Sequence, residues 1–148
     1  MTENPRRDWM GLLARAPADR VADRLATLLP DLPETQDLRP PEVGTVMVRG
    51  RIGATGAAFN LGEMTVTRCS LRLGTGQVGH AHVQGRDKAH ARRAAIIDAL
   101  MQTDRASDVQ SRILTPLAQE EASRRGTRAA KAAATRVEFF TLVRGEDK

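Results

Sequence analysis

Four small groups of residues have the types and spacing to do chemistry. The first is Gly85-Arg86-Asp87-Lys88, at the point where "VQGRDKAHARRAAIIDALMQ" stops reading as strand and starts reading as helix. Free N–H groups at a helix N-terminus attract negative charge, and two cations beside them make a ready anion site. The same four residues also make an ordinary turn. Asp87 is a good N-cap, and its carboxylate would occupy those N–H groups and repel a phosphate. Both readings stand on the residues alone: a capped turn, or an anion site with Asp87 turned aside.

The second group is His80 and His82, two apart in a strand-like stretch and so on one face. H-x-H can supply two metal ligands, and His90 lies not far along. No third ligand is evident, so we read two imidazoles on a polar face or an interface, and no metal. The third is Cys69, between Arg68 and Ser70. A nearby cation can activate a thiol, but nothing marks this one as a nucleophile, and we read it as a small buried filler. The fourth is "GTGQVG", residues 74–79, which matches a dinucleotide fingerprint letter for letter. That fingerprint needs a helix after it, and here "HAHVQ" follows, which is strand again. We read a hairpin turn. No P-loop pattern occurs.

"RRGTRAAKAAATR", residues 124–136, carries five cations and no acid. A basic helix can bind nucleic acid. With only Trp9, Phe59, Phe139 and Phe140 as aromatics, stacking platforms are scarce. The stripe also fits a solvated face or an acidic partner, and we expect no nucleic acid. A basic nucleic-acid-binding protein remains the alternative function.

The elements that must position these groups follow from pattern. The chain has 148 residues and a formal net charge of +5. Residues 1–42 are slightly acidic, and the cations concentrate after residue 43. The length suits one domain, 1–148. One cysteine allows no intrachain disulfide. No apolar run approaches the ~20 residues of a membrane span, and the first residues lack a signal-peptide pattern. We expect a soluble, cytoplasmic protein. Apolar spacing in "DWMGLLARA" and "PADRVADRLATLL" predicts an N-terminal helical hairpin. "PDLPETQDLRPPE" reads as a proline-rich connector. "VGTVMVRGRI", "MTVTRCSLRL" and "VGHAHVQ" alternate as strands, with "GATGAAFNLGE" as a loop. Residues 88–102 and 117–135 predict helices, with an interruption near Pro116 between them. "VEFFTLV", residues 137–143, predicts a fourth strand. The sum is an α+β fold: an antiparallel sheet of about four strands, the N-terminal helical hairpin, and further helices packed on it.

Several stretches together resemble the PhnG family of the bacterial carbon–phosphorus lyase system. "VQGRDKAHARRAAIIDALMQ" is similar to the family's corresponding stretch. "RGRIGATGAAFNLGEMTVTR" is similar to its Gly-rich strand–loop–strand, "TRVEFFTLVRG" to its C-terminal signature, and "DWMGLLARA" to its opening. The resemblance covers most of the chain from Trp9 to Gly145 and is thinnest over 30–42 and 103–123. It implies a subunit that assembles with PhnH, PhnI and PhnJ into a core complex and that acts with PhnI, PhnH and PhnL in displacing adenine from ATP by a phosphonate. The product is α-D-ribose 1-methylphosphonate 5-triphosphate. It implies an accessory part in a transferase complex, with PhnI carrying the nucleosidase chemistry and PhnJ the radical chemistry. No catalytic residue is carried over, and no cofactor is expected on this chain alone. ATP enters as substrate of the complex. A lone cysteine agrees, since it cannot hold a cysteine-ligated cluster by itself. The family's "GRDK" maps onto Gly85 to Lys88. Direct anion contacts, if this subunit makes them, would come from Arg86, Lys88 or Arg51.

Overall fold

Asn4 and Pro5 start the first helix, in a computed structural model that describes residues 4–28 and 30–136. The Asn4 side chain accepts from the Arg7 N–H, and Pro5 sits where a missing N–H costs nothing. Helix α1, Pro5–Arg15, buries Leu12 and Leu13. Helix α2, Ala18–Ala26, buries Val21 and Leu25. Helix α1 packs on the sheet and on helix α3, Lys88–Leu100, while α2 packs on α3 and on residues 110–114.

The sheet has three described strands: β1, Thr35–Arg51, β2, Ala58–Leu73, and β3, Val78–Gln84. Their order is β1-β2-β3, antiparallel throughout. The predicted fourth strand, with Phe139 and Phe140, lies outside the described residues. Strand β2 alternates as its pattern requires. Thr67, Cys69, Leu71 and Leu73 face α3, while Arg68, Ser70 and Arg72 face away. Helix α3 lies close over β3 because small residues meet there. A Cβ added at Gly79 would fall 1.9 Å from the Ala95 carbonyl oxygen. The last glycine of "GTGQVG" therefore admits a helix, not a phosphate. The others belong to the β2–β3 turn, where Gly76 has φ 102° and donates to Leu73 O at 2.8 Å. Leu71, Ile97, Leu100, Ile113 and Leu117 are at most 1% exposed and form the centre of the core. Burying each such side chain contributes about 1.5–3 kcal/mol.

Three expectations need correction. The proline-rich connector is strand: β1 runs straight through Pro40 and Pro41. Proline is tolerated because β1 is an edge strand among the described residues and the ladder is irregular there. Arg39 pairs Ser70 and Glu42 pairs Arg68, so one extra residue bulges out of β1 where the prolines sit. The Gly-rich loop is also mostly strand. Only a turn around Ile52–Ala54 and the next few residues interrupt the β1–β2 pairing, which resumes at Arg51 with Ala58. Finally, Pro116 does not break its helix. Helix α4, Ala106–Val109, passes through a wide π turn, Gln110–Leu114, into helix α5, Thr115–Ala134. The Thr115 N–H bonds back five residues to Gln110 O. The widened turn accommodates a proline that cannot donate to residue 112.

Candidate functional site

The junction folds as a capped turn. Asp87 has φ −80° and ψ 101°, outside the helix, and its carboxylate accepts from the His90 N–H at 2.8 Å. Gly85, at φ 90°, reverses the chain. Its N–H donates to Thr65 O at 3.0 Å, and its carbonyl accepts from Thr67 Oγ1 at 2.8 Å. Arg86 and Lys88 are left exposed beside the cap. Arg51 is elsewhere. It pairs with Ala58 at the far end of the β1–β2 ribbon, and its Nη1 donates to Gly56 O at 3.0 Å. Thr65 stands seven positions along β2 from Ala58, roughly 23 Å of strand. The structure thus brings Arg86 and Lys88 together and does not bring Arg51 to them.

A second cationic feature adjoins the junction. Gln84, one residue before Gly85, lines a cleft of about 370 Å³ with Arg15, Glu121, Arg124, Arg125 and Arg128. Helix α5 is held here by ion pairs to the N-terminal helices. Glu121 accepts from Arg15 at 3.0 Å and lies 3.5 Å from Arg125. Glu120 accepts from Arg20 and Arg24, each at 2.8 Å. Those bonds, Arg20 first, hold the Glu120 carboxyl down at about 2. Beyond Glu121, every residue of α5 is exposed.

The histidines and the cysteine do separate things. His80 and His82 lie on the sheet face away from α3, and His80 Nδ1 is 2.8 Å from Ser70 Oγ. His90 is buried, with its Nε2 2.9 Å from Leu13 O. Burial pushes its pKa below the ordinary value. Cys69 is buried, and burial pushes its thiol up, away from the reactive thiolate. No group of three or more His, Cys, Asp or Glu side chains gathers in metal-binding geometry among the described residues.

Sequence comparison assigns the chain. A family model described as "Phosphonate metabolism protein PhnG" matches residues 4–145. A relative from Rhizobium meliloti (strain 1021), named alpha-D-ribose 1-methylphosphonate 5-triphosphate synthase subunit PhnG, is 51% identical over 145 residues. The match covers 96% of this chain and 90% of the relative. The chain belongs to the PhnG family.

The PhnG-family assignment, like the pattern reading, passes over one residue that the tertiary structure singles out. Asp98 lies in α3 with no exposure at all. Its Oδ1 accepts from Trp9 Nε1 at 2.9 Å and Arg6 Nε at 3.1 Å. Its Oδ2 accepts from Arg6 Nη2 at 2.7 Å and from the His80 N–H at 2.9 Å. One carboxylate therefore ties α1 to α3 and satisfies the free edge of β3, where Arg6 and Gln102 also reach Val78 O. The only signal in the sequence was an acid inside the apolar run "AAIIDAL". This PhnG-family chain uses it as a structural pin. Both carboxylate oxygens are fully engaged, so it has no lone pair to spare for a substrate.

Proposed function

We propose that this chain is an accessory subunit of the enzyme complex that makes α-D-ribose 1-methylphosphonate 5-triphosphate from ATP and a phosphonate in phosphonate catabolism. The observation that carries this is the 51% identity, over nearly the whole chain, to a relative named as a subunit of that synthase. Two surfaces fit a protein made to be packed against others. The outer ribbon of β1 and β2 exposes Met47, Ile52, Phe59 and Leu61, and every residue of α5 beyond Glu121 is exposed. An isolated two-stranded ribbon and an unpacked helix of this length are both marginal in water, so both favour a partner. The partners in this reading are PhnH, PhnI, PhnJ and PhnL. The chemistry is theirs, and this chain holds no cofactor of its own. Arg86 and Lys88 add positive field near an anionic substrate or partner, and Arg51 does so at the ribbon's end. Nothing in the comparisons favours a nucleic-acid-binding role.

Co-expression with the other subunits tests this. The chain is expected to co-purify with PhnI in a complex that releases adenine from ATP when a phosphonate is present, and to show no adenine release alone. A chain that purifies as a soluble monomer with no affinity for PhnI would sink the reading.

A further inference from the structure

We infer that the arginine cleft between α5 and the end of β3 is a binding site for a chain of linked phosphoryl groups, such as a triphosphate. The cleft is lined by Arg15, Gln84, Glu121, Arg124, Arg125 and Arg128. Four guanidiniums meet one carboxylate there. Glu121 does not cancel them evenly, because it is engaged by Arg15 at 3.0 Å and Arg125 at 3.5 Å. Arg124 and Arg128 are exposed, and the closer partners of Glu121 are Arg15 and Arg125, with Arg124 acting on it only as a more distant charge. Arg124 and Arg128 stand four apart on α5, on one face of the helix and roughly 6 Å along its axis. A single tetrahedral anion makes the two share its four oxygens. A row of phosphoryl groups lets each planar guanidinium fork onto its own pair of oxygens.

Two features of the surroundings reinforce this. Residues 122–136 contain five cations and no acid, so nothing on the outer half of α5 competes for the site. Across the cleft, Gln84 offers a neutral amide and leads directly into the exposed Arg86 and Lys88. The junction cations then extend the same positive field, and the α3 cap need not open. Asp87 keeps its bond to His90, which resolves the conflict between cap and anion at that turn. Glu121 serves as a positioning residue. It repels the ligand, but it fixes Arg15 at the cleft's rim, and its own carboxyl is held below the ordinary value by Arg15 first.

The site deepens the subunit reading and rests on it for its biological ligand, since a triphosphate is the group that the named relative's product carries. Its physics does not depend on that reading, and the test keeps the two apart. Isothermal titration of the full chain with inorganic tripolyphosphate, ATP and orthophosphate is the direct measurement. Tripolyphosphate and ATP are expected to bind alike, with orthophosphate much weaker and all binding falling as salt rises. The double variant Arg124→Gln and Arg128→Gln removes only exposed side chains and keeps a good helix former at both positions. Its affinity for tripolyphosphate is expected to fall on the order of tenfold for each guanidinium removed. The control, Arg49→Gln with Arg72→Gln, removes the same charge elsewhere and is expected to change affinity by less than about threefold. Equal losses in the two double variants would show a general charge effect and overturn the site. So would orthophosphate binding as tightly as tripolyphosphate, or no tripolyphosphate binding by the wild-type chain. So would a double variant that binds tripolyphosphate normally and fails only to assemble, because the cations would then serve a protein partner. Normal tripolyphosphate binding by a chain that never joins PhnI would leave the cleft standing and sink the subunit reading instead.

Discussion

Strand β2 belongs to two different regions. From Val66 to Arg72 it is paired on both sides, to β1 and to β3, and its alternate residues lie under α3. From Ala58 to Thr65 it is paired only to β1, and most of its residues are exposed. Both halves are extended strand, although the outer half carries one register shift, where Val48 and Arg49 pair Gly62 and Asn60. What differs is what lies beside them. The inner half has a helix whose alanines permit close approach, so its alternation becomes a core. The outer half has no helix over it among the described residues, so Leu61 is left 67% exposed and Met47, on the paired stretch of β1, 53% exposed. A strand pattern is therefore a statement about faces, and only the neighbouring layer decides whether a face is used for folding or offered for recognition.

Breaking the inner region should have the largest effect. Asp98→Ala leaves Arg6, Trp9 Nε1 and the His80 N–H without their acceptor. Removing one side of a buried charged network costs about 3–5 kcal/mol. The urea midpoint should fall sharply, and an unchanged midpoint would mean that Asp98 does not pin the body. Asp87→Ala should cost less, about 0.5–2 kcal/mol, by freeing the His90 N–H at the start of α3. Thermal unfolding followed by circular dichroism would measure it.

Smaller effects mark the transition from body to periphery. Glu120 ties α5 to α2 with a carboxyl pKa of about 2, against an ordinary 4.5. Since the folded value is the lower one, the pair's contribution is fully present above pH 4.5 and is lost as the pH falls toward 2. Being partly exposed, the pair should contribute under about 1 kcal/mol. Glu120→Gln should flatten stability against pH in that window and leave the curve above it parallel to the wild type. The outer ribbon should matter least to folding. The pair Met47→Ser and Leu61→Ser is expected to shift stability within about 0.5 kcal/mol, while reducing recovery with the partner subunits in a pull-down. A large loss of stability from that pair would erase the distinction between the two halves of β2.

Local signals in the sequence were strong where one residue type has one physical job. Asp87 after a glycine and before an alanine-rich run specified a helix cap, and the cap forms with Gly85 at positive φ. The alternation of "MTVTRCSLRL" and "VGHAHVQ" across a four-residue turn specified the β2–β3 hairpin. The reading failed where a local rule is conditional on topology. Proline opposes strand only if both edges must be paired, and among the described residues β1 is an edge strand at Pro40 and Pro41. Proline ends a helix only if the preceding turn stays tight, and Gln110–Leu114 widens instead.

What the sequence determined by itself was the α+β class, most elements and the surplus of positive charge late in the chain. Each follows from period, capping chemistry or composition, which act over a few residues. The tertiary structure alone decided that Asp98 is a pin, because its four donors come from α1 and from β3, and no short window contains them. It alone decided that Arg15 meets Arg124, Arg125 and Arg128, and that Arg51 stays roughly 23 Å of strand away from the junction. Charge is written in the sequence, but a binding surface is a matter of distance, and distance between remote residues is set by how the layers pack.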